Sequence, residues 1–380
     1  MLQAYATQRA IEKLGYNAVT VASNAPITYM TQSKLKYYFH KLSNKDIVLT
    51  KLRQYNSKLK LKQYPDIVNG KKERDIYFEK FYKNYIHLSN YNANREDLTK
   101  FASTCDAVVV GSDMLWHPIN IEHDFFTLTF VPDNVKKISY ATSFGTTHIP
   151  KYQVENYKIF LNRFSSISVR EKSGVDVIEK LEIRQDVSVV LDPTLLFTGD
   201  EWMLLQDTQP IINEKYIFCY FLGVNQEHRD FANHLKKLAG YKIVALQHLD
   251  EFVETDLNFG DIRPYNVGPK EFLNLIRNAE YICTDSFHGT CFSILNHKKF
   301  FTLNRFSNTH SQSTNTRMDS LLSSLRLEDR RIEPQAVNYE TILEAKIDYE
   351  AVDITLKKMR RESYDYLENA INKGNREVEL

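Results

Sequence analysis

Short apolar runs alternate with segments of helical period along most of this chain. Ala6, Ala10, Ile11 and Leu14 share one helical face closed by Gly15, and a strand is expected at 18–22. Residues 34–74, rich in Lys, Tyr and Asn, show no clear period, and their lysines fit a solvated face. A helix is expected at 73–88, with Ile76, Phe78, Phe81, Tyr82 and Ile86 as its apolar positions. The rhythm then becomes regular. A strand at 106–111 is continuously apolar, as in strands buried on both faces. It is followed by strand 137–143, helix 150–164, strand 166–170, helix 171–181 and strand 187–191, closed by Asp192-Pro193. A second series runs through strand 216–222, helix 227–238 ending at Gly240, strand 242–247, helix 269–278, strand 281–284, helix 287–296 and strand 300–303. Helices at 316–325 and 340–373 complete it.

Repeated strand–helix–strand units imply parallel sheets covered by helices on both faces. Two such series in 380 residues imply an α/β protein of two Rossmann-like lobes. The expected division is 1–197 and 198–335, with 336–380 a helical segment that can cross back to the first lobe. In open parallel sheets ligands bind beyond the carboxyl ends of the strands. The polar residues just after each strand are therefore the ones to examine.

Charge narrows the class of partner. Lys plus Arg number 49 and Asp plus Glu 48, which disfavours a general polyanion binder and so a nucleic-acid partner. A local basic site for a small anion is still compatible with that balance. Cys105, Cys219, Cys283 and Cys291 form no CxxC pair and read as free thiols in a reducing compartment. No apolar run is long enough to cross a bilayer, and Met1-Leu2-Gln3-Ala4 has no secretory pattern. A cytoplasmic location is expected, with peripheral membrane association left open.

Five strand ends carry candidate chemistry. The strongest is Thr284-Asp285-Ser286-Phe287-His288-Gly289-Thr290, between a strand and a helix. Asp285 or Ser286 can cap that helix, whose start favours an anion. His288 can hydrogen-bond a phosphate or carboxylate or transfer a proton, and Gly289 allows close approach. A capped helix with a partly buried His is the plainer alternative. Gly111-Ser112-Asp113 offers Asp113 to a cleft, or serves as a turn with Asp113 as an N-cap. Ser143 and Gly145 end a third strand, where a tight turn explains them equally well. Arg170 ends a fourth, suited to grip a carboxylate or phosphate or to pair with Glu171 or another acid. Asn304-Arg305 has the same two readings.

Other chemistries lack their patterns. There is no GxGxxG, P-loop, HExxH, paired-Cys spacing or GxSxG, so neither a metal nor a bound cofactor is expected. A site of Arg, His and Asp at strand ends is left.

The segments MLQAYATQRAIEKLGY, VVVGSDMLW, ISYATSFGT, SISVREKSG, LDPTLLF and NAEYICTDSFHGTCFSILNHKKFFTLNR run from residue 1 to about 332. In that order they resemble the bacterial polysaccharide pyruvyl transferases. The resemblance implies a fold similar to the GT-B glycosyltransferases, with the donor on the second lobe and the acceptor on the first. It implies phosphoenolpyruvate as donor and a saccharide acceptor of the cell envelope, lipid-linked or not, converted to a pyruvate ketal. His288 then matches a histidine associated with the donor phosphate or catalysis, and Asp113 the acid of the GSD motif, a base or acceptor contact. Arg170 then matches an arginine placed to hold the donor, and Ser286, Gly289 and Arg305 are further donor-binding candidates. Ser112, Ser143, Gly145 and Asp285 are further cleft candidates. Some branches carry an Arg where this chain has Ser286, which shifts anion binding toward Arg170 or Arg305. Members similar to this chain begin with a strand and an Asn-Tyr-Gly loop before LQAYA, so the first lobe is expected to lack that first strand. Two other readings are a nucleotide-sugar glycosyltransferase of the GT-B kind and a non-catalytic or truncated relative that binds saccharide or a protein.

Overall fold

The computed structural model describes residues 1–21, 25–39, 55–89, 94–306, 315–339 and 341–373, with the backbone alone at 25–30. Its helices are α1 (Leu2–Lys13), α2 (Ala25–Phe39), α3 (Pro65–Tyr85), α4 (Arg95–Ala102), α5 (Val154–Asn162), α6 (Lys172–Lys180), α7 (Gly199–Met203), α8 (Gln226–Ala239), α9 (Pro269–Asn278), α10 (Phe287–Leu295), α11 (Thr316–Ser324) and α12 (Tyr349–Asn372). Residues 55–61 are also helical. The strands are β1 (Ala107–Val110), β2 (Lys136–Ser139), β3 (Ile167–Val169), β4 (Val187–Val189), β5 (Tyr216–Tyr220), β6 (Lys242–Leu246), β7 (Tyr281–Thr284), β8 (Lys299–Leu303) and β9 (Arg331–Ile332).

The chain divides into two compact units. One comprises Met1–Lys45, Ile86–Leu196 and Thr355–Leu380, the other Asp46–Tyr85 and Phe197–Ile354. This differs from the division read from sequence in two places. Residues 46–85 belong to the second unit, and the later boundary falls inside α12 rather than after residue 335.

In the first unit β1 pairs with β2 and β3 with β4, both parallel. Bridges Ile138↔Ser166 and Thr142↔Val169 join the pairs, giving the order β1-β2-β3-β4. Trp116, Phe144, Phe160 and Phe164 centre its core, with Trp116 5.3–5.7 Å from the other three rings. Ala107, Val108 and Val109 are only half-buried. The expectation of burial on both faces fails, β1 being at one edge of these four strands. The strand expected at 137–143 stops at Ser139, because Ala141 turns to φ 53°, a left-handed value that breaks the pleat. At 18–22 there is a single bridge, Thr20↔Leu88, and residue 22 lies outside the described residues.

The second unit is a parallel sheet in the order β6-β5-β7-β8-β9. Counted by appearance this is second, first, third, fourth, fifth, a doubly wound Rossmann-like order whose topological switch lies between β5 and β7. Ile217, Cys219, Phe231, Ile243, Cys283 and Phe301 are among its buried core. The start of α9 is fixed by Pro269 and by Glu271, whose carboxylate accepts the Gly268 N–H at 3.0 Å. Helix α3 is tied in by Asp250, which pairs with Lys71 at 3.0 Å and Arg74 at 2.9 Å.

Candidate functional site

Among the described residues of the first unit, the ends of β1, β2, β3 and β4 all feed one buried polar network. Beyond β3, Arg170 Nη1 donates to Asp192 Oδ2 at 2.7 Å. Its Nη2 stands 3.5 Å from Asp113 Oδ1 and its Nε 3.7 Å from Glu171 Oε2. Asp192, beyond β4, also accepts from Ser112 Oγ at 2.7 Å and Gln3 Nε2 at 3.0 Å. Its other oxygen takes the Thr194 N–H and hydroxyl at 3.0 and 2.7 Å. The Arg170 side chain is 3% exposed, those of Asp192 and Glu171 0% and 1%, but that of Asp113 is 44% exposed. Burial alone would weaken the hold of Arg170 on its proton, but Asp192, Glu171 and Asp113 together outweigh it and raise its pKa. Of the two readings available from sequence, Arg170 has partners that match the ion pair. The exposed chemical end of the network is Asp113.

Asp113 is held at φ 80°, a left-handed backbone that non-glycine residues rarely adopt. Its carbonyl accepts the Leu115 and Ser143 N–H groups, both at 2.8 Å, which fix this conformation. No N-cap role appears, because no helix starts at Asp113. Ser143 and Gly145, both buried, serve the turn. Ser143 Oγ donates to Glu171 Oε1 at 2.6 Å and accepts the Gly145 N–H at 3.0 Å. Gly145 has φ 60°, and an added Cβ would lie 2.5 Å from Met114 Sδ. Ser112 is likewise buried and bonded within the network.

In the second unit the turn after β7 lies at the topological switch. Asp285 does not cap α10. It crosses to the end of β5, where its two oxygens accept the Leu222 N–H at 2.6 Å and the Gly223 N–H at 2.9 Å. His228 Nδ1 stands 3.5 Å away. Burial works to raise the Asp285 pKa, but His228, Arg305 and the Leu222 N–H outweigh it and hold the carboxyl below its ordinary value. Ser286 is the cap, its Oγ accepting the Gly289 N–H at 3.3 Å. Thr284 Oγ1 donates to the Tyr220 carbonyl at 2.6 Å and accepts the Ser286 N–H at 3.0 Å. Gly289 packs on that hydroxyl so closely that a Cβ would lie 2.4 Å from it.

This scaffolding fixes the first turn of α10, where His288 is half-buried with its ring 5.4 Å from Phe287 and perpendicular to it. Next to the turn a small cleft is lined by Asp285, Asn304, Arg305, Arg317 and Arg331. Arg305 Nε is buried and makes no hydrogen bond among the described residues. Arg317 lies 5.8 Å from the Phe287 ring. Arg331 is engaged by Asn304 and by Asp319. The cleft therefore gathers guanidinium groups around one carboxylate, an arrangement that favours an anion.

The structure thus groups Ser112, Asp113, Ser143, Gly145 and Arg170 in one unit. It groups Asp285, Ser286, His288, Gly289 and Arg305 in the other. Several contributors had not been singled out from sequence. Asp192 satisfies the same rule as the others, a polar residue just past a strand. Gln3 and His228 sit within helices, where spacing marks a face but not a partner far along the chain. Arg317 and Arg331 follow the last clear strand–helix unit and carried no motif.

A family model described as polysaccharide pyruvyl transferase matches residues 1–308. No curated protein sequence matches the chain. Among solved structures it is similar to UDP-GlcNAc 2-epimerase from Neisseria meningitidis bound to UDP-GlcNAc, at 12% identity, covering 70% of this chain and 80% of that one, TM-score 0.41. It is similar to UDP-N-acetylglucosamine 2-epimerase from Rickettsia bellii at 11% identity, covering 78% and 87%, TM-score 0.39. The wall teichoic acid polymerase TagF is similar at 13% identity, covering 91% and 99%, TM-score 0.44. At those scores the likeness extends to neither activity nor substrate. No helix among the described residues is long and apolar enough to cross a membrane.

Proposed function

Because this chain belongs to the polysaccharide pyruvyl transferase family, we propose that it transfers the pyruvyl group of phosphoenolpyruvate to two hydroxyls of a saccharide. The acceptor is a cell-envelope polysaccharide or its precursor, lipid-linked or free, and the setting is cytoplasmic. Protonation of the donor's methylene carbon makes it a methyl group and leaves positive charge on the carbon bearing phosphate. One sugar hydroxyl attacks that carbon and loses its proton to a base. The second hydroxyl then displaces phosphate, its proton leaving with the phosphate, and the ketal closes. The products are the pyruvate ketal and inorganic phosphate.

The residues divide this work as follows. His288 is the acid or phosphate partner, at the positive end of α10. Arg305, with Ser286 and Gly289 shaping the turn, holds the donor. Asp113 is the base. Arg170 positions Asp113, its own charge shared with Asp192 and Glu171. What supports the reading is the family match over residues 1–308, which includes both the Arg170 network and the His288 turn.

The test supplies phosphoenolpyruvate with a panel of galactose, mannose and N-acetylmannosamine glycosides and follows phosphate. Release that requires both donor and one glycoside is expected. Silence across the panel, with a nucleotide sugar consumed instead, would overturn the reading.

A further inference from the structure

Helix α3 carries Tyr77, Phe81 and Tyr85 at every fourth position, a spacing that sets all three on one face. That face meets α9 and the loop before it. Gly268 permits the approach, since a Cβ there would lie 2.7 Å from Tyr77 Cβ. Phe81 is 2% exposed and stacks on Tyr85 with centroids 4.9 Å apart at 27°, which fixes the Tyr85 ring. A cavity of about 410 Å³ opens here, lined among others by Tyr77, Lys80, Asn84, Tyr85, Asn266 and Lys270. It shares no lining residue with the cleft beside the His288 turn.

We propose that this cavity is a saccharide-binding site. Its volume falls within the range of small-molecule sites, roughly 300–1,000 Å³. Its lining combines two half-buried tyrosine rings with amides and ammonium groups. A pyranose matches that mixture, because it presents a C–H face to stack on a ring and a rim of hydroxyls for polar side chains. Charge argues against an anion as the primary ligand. Lys80 and Lys270 are matched by Asp207 and Glu271, which also line the cavity, and Lys270 lies 3.7 Å from Asp207. Lys270 also stands 5.8 Å from the Tyr85 ring, at the edge of the stacking surface. The site would grip a sugar of the acceptor apart from the hydroxyls that react, and to that extent it rests on the proposed acceptor class.

Binding is measured without donor, by calorimetry or saturation-transfer NMR, using the same glycosides and their short oligomers. Wild-type protein should bind at least one of them. Tyr85→Ala should weaken that binding by about tenfold, a loss of ~1.4 kcal/mol. Asn84→Ala, on an exposed position, should weaken it without altering the thermal midpoint, which guards against loss of fold. Glycoside binding sensitive to Tyr85 in a protein that does not turn over phosphoenolpyruvate would retain the pocket and remove the transferase reading. Turnover with glycoside binding indifferent to both substitutions would remove the pocket, as would wild-type protein that binds no glycoside at all.

Discussion

Replacing Arg170 with Met tests the first unit's polar network by deleting its cation and keeping its bulk. The guanidinium faces Asp192 at 2.7 Å, Asp113 at 3.5 Å and Glu171 at 3.7 Å. Asp113 is 44% exposed and can be rehydrated, so its share is small. Asp192 and Glu171 are shut from water, and removing one partner of a buried pair typically costs roughly 3–5 kcal/mol. Hydrogen bonds from Ser112, Gln3 and Thr194 to Asp192, and from Ser143 to Glu171, remain and hold the loss to about 4 kcal/mol. The two tryptophans make the assay specific, since Trp116 is in the first unit and Trp202 in the second. In a Trp202→Phe background, fluorescence reports only the surroundings of Trp116. With a urea slope of about 2 kcal/mol/M, the midpoint should fall by about 2 M. Adding Asp192→Asn should recover part of that loss, because one stranded charge is removed with its partner. A midpoint shift of less than about 0.5 M for Arg170→Met would mean that the buried carboxylates do not depend on this guanidinium.

Three further outcomes are expected. His288→Ala should lower pyruvyl transfer at least ~100-fold with an unchanged thermal midpoint, and normal transfer would remove His288 from the chemistry. Gly289→Ala should destabilise the second unit by about 1–3 kcal/mol, read by Trp202 fluorescence in urea, because its Cβ meets the Thr284 hydroxyl. The His248–Asp256 pair, 2.7 Å apart, should make stability pH-dependent. Burial opposes the charged ring, but Asp256 outweighs it and raises the His248 pKa above its ordinary 6.5. The folded protein then binds that proton more tightly, so the contribution is complete below about pH 6.5 and fades as pH rises through the raised value. Asp256 is itself held below its ordinary 3.8, despite burial, mainly by His248 and with help from Arg229. Its contribution is lost only as pH falls through that lowered value. Melting curves across neutral pH should show the alkaline decline, and His248→Gln should flatten it.

The second unit was the more legible from sequence, for local reasons. Pro269 and Glu271 mark the start of α9, and the apolar run Tyr281–Thr284 ends at a polar turn, so both elements fall where the pattern places them. The same turn delivers Asp285, Ser286, His288 and Gly289 as one segment. What Asp285 does was not legible, because its partners Leu222 and Gly223 lie 62–63 residues earlier. The ion pairing of Arg170 was foreseen as one of two readings, but its main partner, Asp192, was not. Placement of residues 46–85 escaped for a similar reason. The period of α3 is visible in part, but which unit it packs against depends on Asp250 and Gly268, nearly two hundred residues away. Strand β9 is two residues long, too short to carry a period.

The most direct measurement follows the donor's carbon rather than its phosphate. Phosphoenolpyruvate isotopically labelled at the carbon bearing phosphate would be supplied with a glycoside that supports turnover, and the product examined by NMR and mass spectrometry. The expected product carries the label in a ketal carbon bonded to two sugar oxygens, with the acceptor heavier by pyruvate less water. Label left in free pyruvate, or an acceptor extended by a sugar, would contradict pyruvyl transfer.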